Sequence, residues 1–76
     1  MNKHVYNFVV VNGKEYYVST NLTLDRGWET MVFHSENQKV TNWMEIFALY
    51  YESEEEAYKT HKDVVEKLHL YLLCNF

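Results

Sequence analysis

The stretch Tyr6-Asn7-Phe8-Val9-Val10-Val11-Asn12-Gly13-Lys14-Glu15-Tyr16-Tyr17-Val18-Ser19 decides the fold. Asn-Gly between two runs of β-branched and aromatic residues is the strongest short-range hairpin signal, because a type I′ turn needs positive φ at both central positions. A first strand is therefore expected over residues 4–11 and a second from Lys14. A two-residue turn also sets the register: Val9 faces Tyr16, Phe8 faces Tyr17, Asn7 faces Val18 and Tyr6 faces Ser19. Side chains alternate between sheet faces, so Tyr16, Val18, Thr20, Leu22 and Leu24 share one face. Tyr17, Ser19, Asn21 and Thr23 share the other, and the second strand is expected over residues 14–24.

Asp25-Arg26-Gly27 supplies turn residues, and a third strand follows over residues 29–34. Its register depends on the parity of the loop. An even loop puts Met31 and Phe33 on the Leu22/Leu24 face; an odd one substitutes Trp28 and Val32. The even register is preferred here because Met31 and Phe33 are the larger pair. Ser35 to Lys39 forms a polar turn, and a fourth strand over residues 41–51 carries large apolar side chains on both faces.

The period then changes. Ser53-Glu54-Glu55-Glu56 is a capping box, with three acids suited to a helix N-terminus. Ala57, His61, Val64, Val65, Leu68 and Leu72 repeat at helical spacing, so a helix is expected over residues 54–70. The chain thus reads as one α+β domain over residues 1–76, a four-stranded antiparallel meander with one C-terminal helix packed on one face. A single helix covers one side of such a sheet. Tyr6, Phe8, Val10 and Tyr17 fall on the other. They form either a protein-binding surface or a second small core beneath Tyr71, Leu73 and Phe76.

Composition narrows the function classes. The chain has 76 residues, 17% of them aromatic, and a net charge of −4. Nucleic-acid backbones and anionic membranes select clustered Lys and Arg, so neither is expected as a direct partner. No apolar run approaches a membrane span and the first residues lack a secretory pattern, so the expected setting is cytoplasmic. A chain this short buries a modest core, and a homodimer is expected to supplement it.

Catalytic groupings are sparse, and the chain is read as a non-enzyme with no cofactor and no metal. Cys74 is the only cysteine and sits in an apolar setting that keeps a thiol inert. His61 and His69 lie eight residues apart, too far along a helix to share one ion. The acidic run Glu52 to Glu56 is explained by helix capping. Glu45 lies between Trp43 and Phe47 on an otherwise apolar face, where it is expected to pair with His61. Trp43, Glu45 and His61 form the candidate ligand site between helix and sheet.

Three segments carry a resemblance. Gly27-Trp28-Glu29-Thr30-Met31-Val32-Phe33, then Val40-Thr41-Asn42-Trp43-Met44-Glu45, then Tyr51 with Glu54, Glu56, Ala57 and His61 before Val65, resemble a group of small uncharacterised phage and prophage proteins of Gram-positive bacteria. The shared features are an aromatic-Glu-Thr-Met-Val-Phe strand, a Val-Thr-x-Trp turn into a strand, and an acidic helix start leading to a His. The resemblance spans residues 27–68 and leaves out the first hairpin and the tail. It implies a mobile-element origin and action in a bacterial cytoplasm, and it brings no catalytic residues. The expected function is an inhibitor or adaptor that binds a host or phage protein. The alternatives are a small-ligand module and an oligomeric assembly component.

Overall fold

The computed structural model describes residues 4–74. Strands β1 (His4–Val11), β2 (Lys14–Leu22), β3 (Trp28–Glu36) and β4 (Lys39–Tyr51) form one antiparallel sheet in the order β1-β2-β3-β4. Helices α1 (Glu54–Glu66) and α2 (Leu68–Cys74) follow. The α+β meander of the sequence reading is present, with two helices in place of one.

The first hairpin forms as its local chemistry dictates. Asn12 and Gly13 take φ of 51° and 79°, and Val9↔Tyr16, Phe8↔Tyr17, Asn7↔Val18 and Tyr6↔Ser19 are the observed pairs. A second two-residue turn, Asn37-Gln38 with φ of 51° and 61°, joins β3 to β4. The polar segment Ser35 to Lys39 is therefore mostly strand, with Glu36 opposite Lys39.

The β2–β3 register corrects the expected one. Leu22 pairs with Trp28, Thr20 with Thr30 and Val18 with Val32, so Trp28, Thr30 and Val32 face the helix while Met31 and Phe33 face outward. The cause lies in the loop over residues 23–27. The Thr23 amide and hydroxyl both donate to the Gly27 carbonyl (2.8 and 2.7 Å), and the Arg26 amide donates to Thr23 Oγ1 at 3.0 Å. These bonds close an odd loop. Gly27 has φ +76°, and a Cβ there would stand 3.1 Å from the Tyr51 carbonyl oxygen, so glycine is required on both counts. Leu24, assigned to the core face, stands in this loop fully exposed.

Ser53 caps α1 as expected: its Oγ accepts from the Glu56 amide and donates to Glu56 Oε1, both at 3.2 Å. The helical stripe does not stay on one axis. Lys67, at φ −122°, closes α1 through its amide to the Asp63 carbonyl (2.9 Å). Its own carbonyl then accepts from Leu70 and Tyr71 to start α2. The break redirects the chain so that Leu68 and Leu72 are buried and the Tyr71 ring stacks on Phe47, 6.1 Å between centroids. Tyr71 Oη donates to Asp63 Oδ2 at 2.6 Å, which pushes the phenol's pKa up to about 12 and lowers that of Asp63.

The core lies between the helices and one sheet face: Tyr16, Val18, Val32, Phe47, Val64, Leu68 and Leu72. Truncating a fully buried leucine removes apolar contact and leaves a void, so Leu68→Ala is expected to cost about 2–5 kcal/mol. Leu24→Ala should change stability by no more than about 0.5 kcal/mol, as at an exposed site. Urea denaturation of the two variants checks both; a large loss at Leu24 would restore the even register.

Candidate functional site

Two groupings bear on function, one on each sheet face. Beneath α1, the register places Thr20 and Thr30 side by side, their hydroxyls hydrogen-bonded, and Thr20 Oγ1 meets His61 Nδ1 at 2.7 Å. His61 Nε2 meets Asn7 Oδ1 at 2.8 Å. One neutral tautomer satisfies the set: Nε2–H donates to Asn7, Nδ1 accepts from Thr20, and Thr20 accepts from Thr30. His61 is only 5% exposed, and its burial lowers its pKa below the usual 6.5, with His4 a lesser cause. Tyr51 Oη is buried close by, without a hydrogen bond of good geometry; burial raises its pKa despite the neighbouring Thr30 and Thr60 hydroxyls.

The Trp43/Glu45/His61 grouping is corrected by this geometry. Both His61 ring nitrogens are engaged with Thr20 and Asn7, Glu45 is exposed, and Trp43 lies on the opposite sheet face. The reason is a bulge. From Val32↔Phe47 to His34↔Asn42, β3 advances two residues while β4 spans five. Three extra residues reverse the alternation, so Trp43 and Phe47, which share a face in a regular strand, part company. The Met44 amide donates to Asn42 Oδ1 at 3.0 Å inside the bulge. A hollow of about 640 Å³ lies at the turn end of the sheet, among Gly13, Lys14, Glu15, His34 and Asn37, away from His61. Among the described residues, no three His, Cys, Asp or Glu side chains gather as a metal site.

The outer face carries a continuous row of rings. His4 packs on Tyr6 (5.4 Å), Tyr6 and Phe8 on Tyr17 (5.7 and 5.0 Å), Tyr17 on Phe33 (6.1 Å), and Phe33 on Trp43 (5.2 Å). The row crosses all four strands. Phe33 is buried beneath its neighbours, whereas Tyr6, Val10 and Trp43 remain 55%, 67% and 69% exposed. Tyr6, Phe8, Val10 and Tyr17 are thus together on one surface, as the hairpin register requires. Phe33 and Trp43 extend it and were not in the sequence-derived set, since the even register and an unbroken fourth strand both assigned them elsewhere.

Through Cys74 the tail does not cover this face. Tyr71 stacks on Phe47 on the helix side and Leu73 is exposed; Phe76 lies outside the described residues. The outer face also holds polar groups. Glu15 Oε2 accepts from Ser35 Oγ (2.7 Å) and the Gln38 amide (2.8 Å), and His4 Nε2 meets Ser19 Oγ at 2.7 Å. Glu29 is buried with one carboxylate oxygen lacking a hydrogen-bond partner among the described residues. This surface combines exposed aromatic side chains with a few polar groups.

Comparison with known proteins finds no matching family model, no matching curated protein and no matching solved structure. Among the described residues, no helix is long and apolar enough to cross a membrane.

The His61 network makes stability pH-dependent. Because the folded pKa lies below the unfolded one, the unfolded chain binds the proton first. The contribution is complete above about pH 6.5 and is lost as pH falls from there through the folded value. Urea midpoints should therefore decline between about pH 8 and pH 5, and the decline should shrink in His61→Asn. An identical decline in that variant would assign the effect to other groups.

Proposed function

We propose that this chain is a non-enzymatic interaction protein whose working surface is the uncovered aromatic face of its sheet. In the setting that the phage resemblance implies, it is a small acidic accessory protein that inhibits or adapts a host or phage protein. The observation carrying this reading is the row of rings from Tyr6 to Trp43, exposed at both ends and packed at its centre. Tyr and Trp are enriched at protein contacts because they bury large area with a polar tip. The surface fits a partner presenting an apolar patch. The ligand-module alternative has less behind it, since its three residues lie apart.

Trp43 is the expected hot spot: it is exposed and rests on Phe33 and Tyr17. Affinity capture with the tagged chain from infected or prophage-carrying Gram-positive cells should recover a stoichiometric partner. Trp43→Asp should weaken that complex by about 2 kcal/mol or more, about 30-fold in Kd. Leu73→Asp, on an exposed helical site away from the sheet face, should leave it unchanged. A partner held equally by the Trp43 variant would move the contact off this face.

A further inference from the structure

β1 has the composition of an inner strand and the position of an edge strand. Five of its residues are Val or Phe, Tyr6 is a sixth large side chain, and no charged residue occurs from Val5 to Val11. Tyr6, Phe8 and Val10 face outward on the aromatic side; Val5, Val9 and Val11 face the helix side but are only half-buried. Apolar side chains on both faces suit a strand with neighbours on both sides. β1 has only β2.

The free edge is specified by the hairpin. In a two-residue hairpin the residues flanking the turn form a hydrogen-bonded pair, so Val11, Val9, Asn7 and Val5 direct their amides at β2. Tyr6, Phe8 and Val10 direct theirs outward. Among the described residues no turn, loop or cap bond reaches them. The opposite edge is different. β4 carries register shifts near its start, with Trp43, Met44 and Glu45 in the bulge, the kind of device that blunts an edge. The β1 edge has pairing without a shift along all eight residues and no Lys, Pro or bulge.

We propose that β1 pairs antiparallel with β1 of a second copy of this chain, giving a closed two-fold dimer with one continuous eight-stranded sheet. Symmetry and chemistry agree on this occupant. Antiparallel self-pairing requires a two-fold axis normal to the sheet, which places both aromatic faces on the same side. Residues opposite one another must then share parity, and the outward amides of Tyr6, Phe8 and Val10 have that same parity. A register centred on Phe8 sets each Phe8 opposite its counterpart and each Tyr6 opposite a Val10. No like charges meet, although each copy carries −4. The pairing also closes: once both β1 edges are used, only the bulged β4 edges remain, so no filament propagates. The inference rests on the interaction reading to this extent, that the dimer leaves the aromatic face open and joins two rows of rings into one platform for the partner.

Sedimentation equilibrium of the full chain, with amide hydrogen exchange, tests it. The expected result is a dimer at micromolar concentration whose Tyr6, Phe8 and Val10 amides exchange more slowly as concentration rises. Val10→Pro removes one outward donor at each of two symmetric places without breaking a β1–β2 bond, and should weaken self-association by about tenfold or more. A monomer, a species larger than a dimer, or a dimer whose Tyr6, Phe8 and Val10 amides exchange freely would overturn the proposal. If the proline variant does not fold, exchange in the unmodified chain decides alone. Trp43→Asp separates the two readings, because it should abolish partner capture yet remain dimeric. A Trp43 variant that still captures the partner, in a dimer with slow edge amides, would overturn the assigned contact face and leave the dimer standing.

Discussion

Leu22 stands opposite Trp28 because the loop between them holds an odd number of residues, and the facing of every side chain in β3 follows from that parity. Thr23 sets it by bonding the Gly27 carbonyl through both amide and hydroxyl, while Gly27 takes a backbone conformation in which a Cβ would crowd Tyr51. One residue more would turn Met31 and Phe33 under the helix and Trp28, Thr30 and Val32 to the outside. The loop alone would not enforce this choice against a worse core. A polar contact goes with the observed register: Thr30 bonds Thr20, which in turn bonds His61.

That network occupies the centre of a small interface between helix and sheet. A buried histidine without partners is destabilising by roughly 1–3 kcal/mol per unsatisfied group. Here Asn7 on β1 and Thr20 on β2 satisfy its two ring nitrogens, and Thr30 on β3 bonds Thr20 in turn. The even register would take Thr30 away from Thr20, while His61 would keep its two direct partners. The observed register buries Trp28 and Val32, together no smaller than Met31 and Phe33, and also gives Thr20 a hydroxyl partner in Thr30. The network also ties α1 to the otherwise weakly covered β1 through Asn7.

Elements governed by neighbouring residues were legible in the sequence. Asn12-Gly13 sets its turn and the whole β1–β2 register; Ser53 and Glu56 set the helix start. Elements governed by distant contacts were not. Met31 and Phe33 were expected inside, but the facing of β3 is set by the Thr23–Gly27 loop bonds, which residue size does not reveal. The β4 bulge leaves composition untouched while inverting Trp43 relative to Phe47, so alternation alone assembled a ligand site from residues on different faces. The Asn37-Gln38 turn was obscured because glutamine rarely occupies positive φ. The helix break at Lys67 carries no glycine or proline; it shows in the Lys67 φ of −122° and in the stacking of Tyr71 on Phe47.

The same parity that pairs Thr30 with Thr20 creates the outer face. Moving Phe33 out places it beneath Trp43 and beside Tyr17, so the row of rings spans the sheet with a buried member at its centre. Each exposed ring then rests on another ring, and its orientation is set before any contact is made. Surfaces ordered in advance lose less side-chain freedom on association than flexible ones. Aromatic side chains, with two torsions each, start from a low cost. The helix start and its first turn, where Glu54, Glu55 and Glu56 gather, lie across the sheet from these rings. The helix-start carboxylates therefore lie off this face, whose own acidic groups include Glu15 and Glu29, and its polar tips are those of Tyr6, Tyr17 and Trp43.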